Sequence, residues 1–245
     1  MEDRHVDIET SDGKIDTFIT HPDGEGPFPP VIIYMDAPGI REELFDMARR
    51  VGTVGYYVMV PDLYYRHGRK RYTPGNMDKA LLAERASVRP SNGQVVSDTR
   101  GLLNFLVGDD AARPGPIGAI GYCMSGAFVV SAAASYPEAF KATASMYGTR
   151  IVTGEEDSPH LLAAKIQGEL YCGYAENDEH VSQQEVEHFR ETLKSCPVKS
   201  LVEVHPGTVH AFQFPSREGA YHKEAAERGW ERIFAMLQRQ LAPGA

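Results

Sequence analysis

Cysteine is scarce in this chain: three residues among 245, Cys123, Cys172 and Cys196, at irregular spacing. An odd, scattered set excludes a disulfide framework, and with no C-x-x-C pair there is no thioredoxin-like redox motif. Long apolar runs are missing too. No stretch approaches the roughly 20 apolar residues of a membrane-spanning helix. The opening MEDRHVDIET has no apolar segment that reads as a signal peptide. Positive charge is in deficit, with a net charge of −9, which argues for solubility and against a nucleic-acid partner. The one basic cluster, RHGRKR at 66–71, reads as a solvated loop. The nine histidines form no H-E-x-x-H pattern and no metal-ligand spacing with the cysteines. These absences point to a cytoplasmic protein that needs no metal or cofactor and has no membrane or nucleic-acid partner. They leave its oligomeric state open.

What is present is an alternation of strands and helices. HVDIET and KIDTFIT, joined by SDGK, read as a hairpin. PVIIYMD (30–36) and YYVMVPD (56–62) are continuous apolar runs, the mark of strands buried on both faces. Between them, Leu44, Phe45, Ala48 and Val51 recur at helical spacing in 41–55. Helices are expected at 97–108, 125–137, 182–196 and 222–241, and strands at 115–122, 141–148, 168–178 and 199–207. Residues 66–93 have no clear period and read as an irregular excursion or partial lid, with a short helix at 77–87. A hairpin followed by alternating elements predicts an α/β fold with a mostly parallel sheet and helices on both faces. Nothing marks a boundary, so a single domain over 1–245 is expected.

The stretch IGAIGYCMSG carries the chemistry. Gly121 and Gly126 bracket Cys123 between an expected strand and an expected helix. A strand–turn–helix corner holds its central residue in a strained conformation and needs small neighbours, here G-x-C-x-S-G. A helix opening at Met124 or Ser125 aims its positive end at the sulfur and favours thiolate. The Met124 amide then faces an oxyanion formed by attack on a carbonyl. A buried, inert cysteine remains the other reading of the hexapeptide alone. A nucleophile needs a base and a group to orient it, and Asp178 and His210 follow in the α/β-hydrolase order, each just past an expected strand. After PVIIYM, Ala37 supplies a second oxyanion amide because Pro38 has none. Asp36 is then an acid at the rim, or simply a turn aspartate.

MDAPGI, VPDLYYR, GYCMSG, AENDEHV and VHAFQF, in this order, resemble the dienelactone hydrolase family of α/β hydrolases, from about residue 28 to the final helix. The resemblance implies an α/β-hydrolase sheet of about eight strands with an antiparallel N-terminal hairpin. It also implies a triad matched by Cys123, His210 and Asp178. It further implies a carboxylate after the third strand that governs the thiol's protonation. The family has glutamate there; Asp36 is one methylene shorter. Where family members acting on dienelactones carry an arginine that receives a substrate carboxylate, this chain has Phe214. Arg85 or Arg89 are candidates to compensate, and Tyr64, Tyr147 and Phe212 to line the pocket. The expected activity is hydrolysis of a small-molecule lactone or carboxylic ester, of the carboxymethylenebutenolidase type, through a cysteine nucleophile. The alternative is a catalytically silent member that binds a small molecule or protein. A dinucleotide-binding oxidoreductase is disfavoured, because Gly115, Gly118 and Gly121 lie before or within the strand and not after it.

Overall fold

The computed structural model describes residues 1–69 and 79–242. Eight strands make up a mostly parallel sheet that begins with an antiparallel hairpin. The chain divides into two compact units, Met1–Gly115 and Pro116–Ala245.

In the first unit β1 (Glu2–Thr10) and β2 (Gly13–His21) form the hairpin. β2 then runs antiparallel to β4 (Tyr57–Pro61), and β3 (Pro30–Tyr34) lies parallel to β4. Every residue of β3 and β4 is buried, as their unbroken apolar runs require. Helix α1 (Glu42–Gly52) packs Leu44, Ala48 and Val51 toward β2 and β4. Its acidic first turn and basic last turn suit the helix dipole. Of the excursion at 66–93, a single 3-10 turn at Tyr65–His67 and a helix α2 (Lys79–Ser87) are described. Lys70 and Arg71 of the basic cluster, and the first residues of the expected 77–87 helix, lie outside the described residues. Helix α3 (Asn92–Val107) starts five residues before its expected position. Ser91 caps it in a box with Gln94, so VRPSNG, which reads as turn chemistry, is a helix start.

In the second unit β5 (Ile117–Tyr122), β6 (Phe140–Met146), β7 (Glu169–Asn177) and β8 (Lys199–Val209) are parallel neighbours in chain order. Helix α4 (Ser125–Ser135) is almost wholly buried, and its small residues let it lie close to β5 and β6. A short 3-10 segment, Pro159–Lys165, covers α4. Helix α5 (Gln183–Lys194) buries Val186, Phe189 and Leu193, and α6 (Lys223–Leu241) buries Trp230, Ile233, Leu237 and Leu241. A Cβ on Gly126 of α4 would meet Ser145, and one on Gly229 of α6 would meet Met146. Consecutive strand residues point to opposite faces, so α4 and α6 flank the sheet on its two sides. Among the described residues no helix is long and apolar enough to cross a membrane.

Candidate active site

Parallel strands that end together leave their following loops on one edge, and in the second unit four such loops carry candidate site residues. Cys123 follows β5 directly, with a φ of 55°. That left-handed conformation is uncommon and strained for a residue with a side chain. It persists because the surrounding bonds over-determine it. The Cys123 amide donates to Met146 O at 3.1 Å, and its carbonyl accepts from the Gly126 and Thr149 amides, both at 3.0 Å.

The flanking glycines are required by space. A Cβ at Gly121 would sit 2.2 Å from the Ser125 carbonyl oxygen, and one at Gly126 would sit 2.2 Å from the Gly148 Cα. Strand, turn and helix therefore close to backbone contact, leaving the Cys123 side chain partly exposed while Cys172 is buried. The apolar surroundings of Cys172 push its thiol well above the ordinary cysteine range, which makes it a poor nucleophile.

Asp178 lies one residue beyond β7 and His210 one residue beyond β8. The His210 ring meets the Asp178 carboxylate through Nδ1, at 2.8 and 2.9 Å to its two oxygens. The His180 amide donates to the same carboxylate at 2.9 Å. Nδ1–H donation to Asp178 leaves Nε2 as the other ring nitrogen, free of that carboxylate. Nε2 is buried and has no hydrogen-bond partner among the described residues. Burial opposes a charge on His210, but Asp178 and the nearby Cys123 outweigh it, and the imidazole is raised to about 9. Sulfur and imidazole are thus electrostatically coupled without meeting strict hydrogen-bond geometry.

The raised value carries a sign that can be checked. The carboxylate favours imidazolium, so Asp178→Asn should move the His210 titration down from about 9 toward the ordinary histidine range, by roughly one unit or more. NMR titration of the ring measures this, and an unmoved midpoint would show that Asp178 does not hold the His210 proton.

Aromatic rings surround this pair. Tyr147, itself at a φ of 39°, sets its ring 5.0 Å from His210 and 5.4 Å from Phe212. Phe212 and Phe214 are fully buried, with Phe214 against Tyr122. Position 214 is therefore part of the apolar interior.

The remaining candidates lie together in the first unit. Asp36 is buried, and Arg41 grips both of its oxygens while also holding the Gly39 carbonyl and Glu43. Burial opposes the charge on Arg41, yet these carboxylates hold its guanidinium above the ordinary arginine range. Asp36 is thereby an anchor of the turn after β3, a partnership its sequence position did not reveal. The Tyr64 hydroxyl donates to the Ala37 carbonyl at 2.8 Å, and the Arg85 guanidinium stacks 4.5 Å from the Tyr64 ring centroid. Among the described residues no cluster suited to a metal ion occurs.

A strained corner residue after one strand, then an acid and a histidine after later strands, is an order that defines α/β hydrolases, here the kind that cleaves esters and lactones. Known proteins agree. The dienelactone hydrolase family matches residues 15–241, and the chain belongs to that family. A protein of Synechocystis sp. that bears the name "Putative carboxymethylenebutenolidase" is 27% identical over 242 residues, covering 96% of each chain. Its namesake from Escherichia coli K12 is 28% identical over 223 residues, 88% of this chain and 78% of its own. The crystal structure titled "Putative Dienelactone Hydrolase" from Klebsiella pneumoniae has a TM-score of 0.86 at 24% identity, over 97% of this chain and 98% of its own. A dienelactone hydrolase-like promiscuous phosphotriesterase, P91, from metagenomic libraries has a TM-score of 0.81 at 19% identity, over 98% of both chains. Both structures share the α/β-hydrolase fold.

Proposed function

We propose that the protein hydrolyses a small-molecule ester or lactone through a thioester on Cys123, with His210 as general acid and base and Asp178 as its orienting partner. The observation that carries this reading is the left-handed Cys123 beside a His210 that holds its proton to about 9. In the proposed reaction Cys123, as thiolate paired with the imidazolium, attacks the carbonyl carbon. The Met124 amide, at the opening of α4, receives the developing oxyanion. Collapse of the tetrahedral adduct breaks the bond to the leaving oxygen, which takes the proton from His210 Nε2. Acylation also removes the negative charge on sulfur, one of the contributions that hold the proton on His210. The imidazole thus becomes a better base when water must be activated. That water attacks the thioester, its proton passes to His210, and thiolate departs.

Thiolate is a good leaving group, so the first attack reverses readily unless the alcohol leaves easily. Strained lactones and aryl esters suit this chemistry, and amides do not. The absence of an arginine at position 214, where this chain has Phe214, supports a preference for substrates without a carboxylate. In a panel of matched lactones and aryl esters with and without that group, the uncharged members should show a kcat/KM about tenfold higher or more. Faster turnover of the carboxylates would overturn the preference.

A further inference from the structure

The β7–α5 loop that supplies Asp178 also supplies a second imidazole. The His180 ring stands 4.6 Å from the His210 ring at 89°. His210 is almost covered, whereas the His180 side chain is about half exposed, at 53%. Residue 180 touches the acid–base pair twice, since its amide also holds Asp178. A neutral ring favours a cation held at its face, whereas a second cation at that distance repels it.

We propose that His180 is a positioning residue for His210, effective while its own ring is neutral and released when that ring is protonated. This rests on the reading of Cys123 and His210 as nucleophile and base. While neutral, His180 packs on the His210 ring and keeps the imidazole against Asp178. Within the second unit the titratable groups facing the two rings are Asp178 and Glu179 from the same loop, Cys123 from the corner and Tyr147 from the end of β6. Glu179 lies 3.6 Å from His180 Nε2. When acid charges His180, repulsion from His210 and the open solvent on its other side draw the ring away. The loss is expected in kcat, because the ring acts through His210.

The test compares wild type, His180→Ala and His180→Phe. Alanine removes the ring, and should lower kcat about fivefold or more at neutral pH with KM little changed. Phenylalanine keeps the ring without the proton, and should restore most of kcat. Its turnover should also survive acid better, falling about fivefold less than wild type between pH 8 and pH 5.5, as expected for two charges at this separation in a largely aqueous setting. NMR of the His210 ring supplies a readout independent of turnover. In wild type its signals should shift a second time as His180 takes up a proton, and in His180→Phe that step should vanish. Wild-type kcat in His180→Ala, or the same single step in both NMR titrations, would overturn the proposal. A second step that persists while Cys123→Ala keeps full hydrolysis would instead sustain the ring coupling and defeat the cysteine reading.

Discussion

Cys123→Ala should lower ester and lactone hydrolysis by about 10³-fold or more while leaving the fold intact. The side chain is partly exposed and makes no packing contribution comparable to a core residue, so its removal leaves little cavity. The left-handed backbone is held by three hydrogen bonds of main-chain atoms, which alanine retains. Circular dichroism and thermal melting beside the rate measurement separate the two effects. Cys123→Ser is the sharper control. A hydroxyl does not ionise in the field that holds the proton on His210, so the serine variant should run about 10²-fold below wild type or lower. Equal turnover by serine would contradict a thiolate mechanism.

Gly126→Ala should destabilise the second unit by about 3 kcal/mol and lower the melting temperature by roughly 6–12 °C. The new methyl would lie 2.2 Å from the Gly148 Cα and 2.6 Å from Ser145 Oγ. The nearest obstruction is backbone, so rotation of a side chain cannot relieve it. Alanine's advantage inside a helix is only about 1 kcal/mol, too little to offset that overlap. Relief requires α4 to move off the β6 loop, which would stretch the Thr149 amide bond to Cys123 and reduce activity with stability. Gly154→Ala is the matched control, since nothing lies within 4 Å of its would-be Cβ. A melting temperature unchanged in both variants would remove the close approach of α4 from the account.

The corner was legible in the sequence because its constraint is local: a glycine two residues before the cysteine and small residues after it. The placement of Asp178 and His210 was legible from strand ends, and their contact through Nδ1 follows from neighbouring parallel strands. Other features depend on partners that spacing does not give. Arg41 reads as the start of α1, and its grip on Asp36 is seen only when the turn after β3 folds back. The Pro206–Gly207 pair reads as the end of β8, yet the strand continues to Val209, which pairs with Asn177 across an irregular register. His180 stood inside the AENDEHV motif without being singled out, one histidine among nine. The clue was its distance of two residues from Asp178, short enough for its amide to reach that carboxylate. Ser91 and Gln94 do form a sequence-level capping signature, obscured by the Asn92 and Gly93 that follow the cap.

The most direct measurement is the mass of the enzyme quenched in acid during turnover of an aryl ester, followed by fragmentation of the acylated peptide. A transient acyl adduct on the Cys123 sulfur, formed before steady state and discharged by water, is the predicted result. An adduct on Ser125 or elsewhere, or rapid hydrolysis with no adduct in a Cys123→Ala variant, would contradict it.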